Sequence, residues 1–326
     1  MPMSLIKSPT AENLSMAARN LRDGALLGFP TETVYGLAAD AVNEYAVKRI
    51  YDVKGRPADH PLIVHIGSLE FLYEWVTEIP DYSRLLINRF WPGPLTLIFK
   101  KSKIAKNFIT GGLDTIAVRM PKHEIAMSIL NEFHKIGGKG IAAPSANMFG
   151  KVSPTSADAV FSEIGIRLKE NDFIIDGGKC EVGIESTILS CLEKEPKIFR
   201  PGTITKEMLS ECLQTTVGII SLDKEIKVSG NFKSHYSPKV QIVINEKPKP
   251  GDGFLALKEI KNDSKVIRIE KPENYVQFAK ILYSSFRKAD QLKLDRLVIW
   301  LEITDGVSFA LMDRIQKAAV KINNII

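Results

Sequence analysis

The chain has 326 residues, a formal net charge of +6 and 44% hydrophobic residues, which fits a globular protein of one large or two ordinary domains with a sizeable core. No apolar run is long enough to span a bilayer, and no basic start leads into an apolar leader, so the expected location is cytoplasmic. Three cysteines, Cys180, Cys191 and Cys212, without CxxC spacing argue against a disulfide framework and a zinc site.

In chain order, strand-like runs at 26–29, 62–66, 95–99, 115–120, 141–143, 173–176, 184–189 and 198–200 alternate with helical candidates at 10–22, 44–51, 81–90, 124–134 and 156–168. Thr205 is the expected N-cap of a helix to about residue 214, which closes a mixed α/β unit over 1–214. A polar stretch with Gly230 and Pro238 and little periodicity makes 215–238 a linker. Strands at 240–244, 254–257, 266–269 and 297–303, with helices at 273–289 and 309–322, predict a smaller α/β unit over 239–326.

Neither GxxxxGK[ST] nor GxGxxG occurs, so phosphate chemistry has to rest on cationic side chains and scattered amides. "KGRPADHPLIVH" supplies Lys54 and Arg56 in a constrained loop after a helix, where Lys acts as a point charge and Arg as a fork. A bare KxR loop is more often solvated surface. His65 alternates away from Leu62, Val64 and Ile66; on its own it reads more readily as a core histidine than as a catalytic one, and His60 is equally ambiguous. In "TIAVRM", Ile116, Val118 and Met120 face one way and Thr115, Ala117 and Arg119 the other. Thr115 and Arg119 then stand about 13 Å apart at strand rise, a span suited to an extended ligand, although any half-buried strand alternates likewise. Ser145, Asn147 and Ser153 in "PSANMFGKVSPT", Ser186 in "GIESTIL" and Arg200 in "FRPGT" each have an ordinary turn or strand reading. Together they place hydroxyl, amide and guanidinium groups at strand ends, where ligands of α/β sheets collect.

"PTETVYGLAADA", "KGRPADHPLIVH", "WPGPLTLI", "VRMPKH", "PSANMFGKVSPT", "GIESTIL" and "RPGTIT", in this order, resemble the YrdC-type threonylcarbamoyl-AMP synthases over residues 10–210. "HYSPK" and "DGVSFALMDRIQKAA" resemble the two-domain form of that family, although Ser229 and Ser234 in "SGNFKSHY" depart from its usual pattern before the His-Tyr pair. The resemblance implies an α/β fold: a twisted, mostly open sheet with a concave, positively charged cavity, followed by a smaller Rossmann-like α/β domain. It implies that L-threonine, bicarbonate and ATP, with Mg²⁺ accompanying the ATP, yield threonylcarbamoyl-AMP and pyrophosphate. The product would pass to the machinery that makes threonylcarbamoyl-adenosine in tRNA, without direct tRNA binding being required. By resemblance, Lys54 and Arg56 hold the phosphates, and Ser145, Asn147 and Arg200 the nucleotide, with His60, Thr115 and Ser153 secondary to them. Thr33, His65, Arg119 and Ser186 hold threonine, Arg119 through its carboxylate, and His235 and Tyr236 close the site from the linker. Glu32 is expected to order its loop or a metal. An RNA-binding module using the same basic cavity without ATP turnover is the alternative; the sequence does not group the aromatic platforms that single-stranded RNA needs.

Overall fold

Several helices start where a short polar side chain replaces a missing backbone partner. Thr10, Asn43, Ser156 and Thr205 each accept a hydrogen bond from the amide three residues on. The Glu44–Lys54 helix ends at Gly55, whose φ of 62° is left-handed, so the chain turns sharply between Lys54 and Arg56. The computed structural model describes residues 5–220, 235–304 and 306–320.

Among the described residues, eleven strands form one mixed sheet. They are β1 (Ile6–Lys7), β2 (Leu27–Phe29), β3 (Gly36–Asp40), β4 (Ile63–His65), β5 (Leu95–Lys100), β6 (Thr115–Arg119), β7 (Ile141–Ala142), β8 (Phe173–Ile175), β9 (Thr187–Ser190), β10 (Lys197–Arg200) and β11 (Gly218–Ile219), in the order β1-β8-β2-β3-β7-β4-β6-β5-β9-β10-β11. A second sheet, parallel throughout, holds β12 (Gln241–Ile244), β13 (Gly253–Leu255), β14 (Ile267–Glu270) and β15 (Arg296–Ile299) in the order β12-β15-β13-β14, with the Tyr275–Gln291 and Gly306–Ala319 helices packed on each other. The architecture is the α/β arrangement implied by the motifs, a large twisted sheet followed by a small Rossmann-like unit.

Three local expectations change. β3 was not legible as a strand: all five of its residues are buried, so it shows no alternation. It pairs antiparallel with β2, which makes 30–35 the connection of a wide hairpin. Residues 184–186 are not strand but an irregular approach to β9. The large sheet runs through Ile219, past the expected end of the first unit at 214, because β11 pairs in parallel with β10. Of the expected linker, 221–234, including Ser229 and Ser234, lies outside the described residues, as do 321–326 at the end of the last expected helix. Among the described residues, no helix is long and apolar enough to cross a membrane.

Two apolar cores cover the large sheet, one holding Leu37, Val64, Trp75 and Leu97, the other Phe29, Leu130 and Phe133. A third core joins the units: Val34, Val152 and Ile184 pack in one cluster with Tyr236, Phe278, Tyr283 and Leu311. Gly183 shows how close this joint is. Its φ is +83°, and a Cβ there would lie 2.4 Å from both the Ala279 carbonyl oxygen and the Lys280 Cα. Gly183→Ala is therefore expected to lower the unfolding free energy by about 3 kcal/mol or more. Gly178→Ala, at φ +75° in open space, should cost only the left-handed backbone penalty, about 1–2 kcal/mol. Urea unfolding of the two variants checks the contrast.

Candidate active site

β4, β6 and β10, with the segments that follow β2 and β7, wall one cavity. β4 contributes Ile63 and His65 to its wall, β6 contributes Arg119 and β10 contributes Arg200. Thr31 and Thr33 come from the hairpin connection, Ser145 from the loop after β7, Arg56 from the turn at Gly55, and Glu185 with Ser186 from the approach to β9. His235 and Tyr236 close the cavity. Its volume is about 40 Å³.

Arg119 organises one part of the wall. Its Nη1 donates to Thr33 Oγ1 at 2.9 Å, its Nε donates to the Gly93 carbonyl at 3.2 Å, and its Nη2 stands 2.7 Å from Glu32 Oε1. Thr31 Oγ1 lies 2.9 Å from Thr33 Oγ1 and donates to the Val34 carbonyl, so the connection is cross-braced. Glu32 is thus the buried counter-ion of Arg119 and orders the loop. His65 sits edge-on to Phe29, and burial, reinforced by the Arg119 charge, pushes its pKa down to about 3. At neutral pH it is an uncharged hydrogen-bonding ring.

The other part gathers Arg56, Arg200, Ser186 and the two closing residues. Arg200 donates from Nε to the Ser186 carbonyl at 3.0 Å and from Nη2 to Ser186 Oγ at 3.1 Å, and Ser186 Oγ lies 2.8 Å from Thr96 Oγ1. Arg56 donates to the Pro61 carbonyl at 3.1 Å; burial lowers its pKa to about 10, so it remains a cation. His235, pushed down to about 3 by burial, is neutral, and Tyr236 is fully buried with a left-handed φ of 62°. A non-glycine residue holds that backbone only where its surroundings determine it.

Five predicted residues stand outside the cavity wall. Lys54, expected on phosphates, donates from Nζ to the Ser145 and Asn147 carbonyls at 2.6 Å each, and burial with the nearby Arg56 charge lowers its pKa well below the usual range. It fixes the loop that presents Ser145. Asn147 turns its Nδ2 to the Met148 and Lys151 carbonyls and braces the same loop. Ser153 donates to Glu185 Oε1 at 2.6 Å. His60 packs 5.7 Å from the Phe149 ring, which lies 6.2 Å from the His235 ring, one layer behind the wall. Thr115 begins β6, opposite Lys100, at the end of that strand remote from Arg119.

Sequence reasoning missed Glu185, although it lies inside the quoted "GIESTIL". A carboxylate between Ile184 and Ser186 reads as strand polarity until its partners are known. They are Ser153, Tyr283 at 2.9 Å and Arg314 at 2.8 Å, the last two from the C-terminal unit. Burial raises the pKa of Glu185, but the charges of Arg314 and Arg200 override it and hold the carboxyl at about 2.

An arginine-walled cavity at strand ends defines a small-molecule-binding α/β protein. The pattern of the Sua5/YciO/YrdC family, described as telomere recombination, matches residues 19–202, and that of the threonylcarbamoyl-AMP synthase C-terminal domain matches 204–320. The chain belongs to the Sua5/YciO/YrdC family, in the form that carries this C-terminal domain. It is 37% identical over 331 residues to the threonylcarbamoyl-AMP synthase of Pyrococcus abyssi, covering 94% of each chain. It is also 37% identical to the threonylcarbamoyl-AMP synthase of Bacillus subtilis, over 94% of this chain and 92% of that one. The crystal structure of Pyrococcus abyssi Sua5 complexed with L-threonine superposes with a TM-score of 0.87 at 35% identity, over 96% of this chain and 97% of that one.

Two outcomes follow from the buried charges. Because His65 titrates near 3 in the folded chain against an ordinary 6.5, the unfolded chain takes up its proton first as pH falls. Its contribution to stability is full above about pH 6.5 and is lost on going down, at up to about 1.4 kcal/mol per pH unit. His65→Gln should flatten that slope between about pH 6 and pH 4, read from urea midpoints across pH. Arg119→Met leaves Glu32 buried without its counter-ion and should cost about 3–5 kcal/mol. Adding Glu32→Gln should recover part of that loss in a double-mutant cycle.

Proposed function

We propose that this chain is an L-threonylcarbamoyladenylate synthase, a nucleotidyltransferase that makes threonylcarbamoyl-AMP and pyrophosphate from L-threonine, bicarbonate and ATP. The product serves as the activated donor for threonylcarbamoyl-adenosine in tRNA, taken up by a separate transfer machinery. Residues up to about the end of β11 form the catalytic unit, the segment before β12 the linker, and the rest the small C-terminal unit. The names of the two relatives and the threonine complex of Pyrococcus abyssi Sua5 support this reading. The observation that carries it is one cavity lined both by Arg119 with Thr33 and His65, groups suited to an amino-acid carboxylate, and by Arg56 with Arg200, cations suited to phosphate.

The chemistry needs alignment more than a protein nucleophile. The neutral amine of threonine takes up the one-carbon unit of bicarbonate with loss of water, giving a carbamate. A carbamate oxygen then attacks the α-phosphorus of ATP, the bond from that phosphorus to the bridging oxygen breaks, and pyrophosphate leaves. Arg119 pairs the threonine carboxylate, and neutral His65 offers a hydrogen bond without adding charge. Arg56 and Arg200 offset the charge that develops on the phosphates, worth most in a site from which water is excluded. Ser145, Ser186 and the loop held by Lys54 and Asn147 frame the nucleotide, and Ser153 and His60 support it from outside the wall. Mg²⁺ enters as part of the ATP substrate, on its phosphates. Among the described residues no group of three or more His, Cys, Asp and Glu side chains is placed to hold a metal ion, and Glu185 on the wall is already engaged by Ser153, Tyr283 and Arg314.

A 40 Å³ cavity has to widen to take ATP, and His235 with Tyr236, at the end of the expected linker, serve as the lid. The RNA-binding reading loses support from burial: tracking a phosphate backbone needs exposed cations, whereas Arg56, Arg119 and Arg200 are 7%, 4% and 4% exposed.

Purified protein with ATP and radiolabelled bicarbonate should place label in an AMP-containing product only when threonine is present. Label that never enters an adenylate rules the function out. Arg56→Ala should lower threonine-dependent pyrophosphate release by about 10²–10³-fold with the fold intact.

A further inference from the structure

One turn of a C-terminal helix holds both the wall of the cavity and its lid. Arg314, in the Gly306–Ala319 helix, is fully buried and uses its whole guanidinium. Nε donates to Glu185 Oε2 at 2.8 Å, Nη2 donates to the Pro201 carbonyl at 2.9 Å, and Nη1 pairs with Asp313. Glu185 immediately precedes Ser186, and Pro201 immediately follows Arg200. One side chain from the second unit therefore pins the two backbone segments that carry the Arg200–Ser186 pair. The same guanidinium stands 5.5 Å from the Tyr236 ring, which stacks 5.5 Å from Tyr283. One turn further along the helix, the Lys317 carbonyl accepts the His235 amide at 3.2 Å, and Lys317 Nζ lies 2.9 Å from Asp313.

We propose that Arg314 is a positioning residue for the reaction, through which the C-terminal unit sets the orientation of Arg200 and seats the His235–Tyr236 lid. This rests on the function proposed above. A buried ion pair is a poor way to gain stability alone, since an apolar replacement of the same shape often does as well. What Arg supplies is direction. Three nitrogens in one plane fix Glu185, Pro201 and Asp313 relative to one another, and the charge at their centre stands over the Tyr236 ring. Lysine, with one nitrogen, preserves the charge and loses the plane.

The test compares wild type with Arg314→Lys, both shown folded by circular dichroism and calorimetry. The variant should form the adenylate with kcat lowered about tenfold or more at saturating ATP and threonine, because misplaced groups act on the transition state. It should release more pyrophosphate per adenylate formed. Independently of activity, the 235–237 amides should exchange with deuterium about tenfold faster. Tyr283→Phe removes one hydroxyl from Glu185 and keeps the ring; it should change kcat and exchange in the same direction by about threefold, and it stands in if Arg314→Lys does not fold. Folded variants with wild-type kcat, wild-type pyrophosphate per adenylate and wild-type exchange overturn the proposal, leaving Arg314 a purely structural residue. If the wild type forms no adenylate, the function is wrong, and the exchange comparison still decides whether Arg314 seats the lid.

Discussion

The ion pair between Glu185 and Arg314 is the contact on which the rest of the arrangement depends. It is buried, it crosses from one unit to the other, and each partner is satisfied further, Glu185 by Ser153 and Tyr283, Arg314 by Asp313 and Pro201. An ion taken out of water loses several kcal/mol of hydration, so such a pair persists only where geometry and additional hydrogen bonds compensate. That requirement locks the relative placement of β9, β10 and the last helix. The apolar joint around Ile184, Tyr236 and Phe278 adds contact area and excludes water from the pair.

A second ionic centre serves the opposite side of the cavity in the same manner. Arg119 is held by Glu32, Thr33 and Gly93, so its guanidinium is oriented before a ligand arrives. Preorganised donors do not have to reorganise during the reaction, and their field is strongest where water is scarce. His65 remains neutral beside it, because a second buried cation at that place would be unfavourable. Between the two centres, Lys54 spends its charge on backbone carbonyls and gives the Ser145 loop a defined shape.

Much of the fold was legible because it rests on local signals. The Asp81–Phe90 helix and the alternation in β6 follow from periodicity, and Thr205 is the cap its neighbours suggest. β3 escaped because a strand covered on both faces has no alternation to read, and β11 because two residues carry no pattern. For the site, strand-end placement pointed to Ser145, Ser186 and Arg200, and the family resemblance added Thr33, Arg56, His65, Arg119, His235 and Tyr236, all of which line one cavity. It could not tell a wall residue from one supporting the wall, which is why Lys54, Asn147 and Ser153 stand one layer back.

The sequence by itself determined the α/β class, most of the elements, the division into a large and a small sheet, and an ordered set of motifs specific to one family. These depend on caps, turns and periodicities that act over a few residues, or on motif order, which needs no coordinates. Only the tertiary structure decided which charges meet. Glu32 with Arg119 spans 87 positions, and Glu185 with Arg314 spans 129, and a polar side chain takes its role from whichever partner the fold brings within about 3 Å. That is why Glu185, unremarked in its motif, becomes the link between the two units.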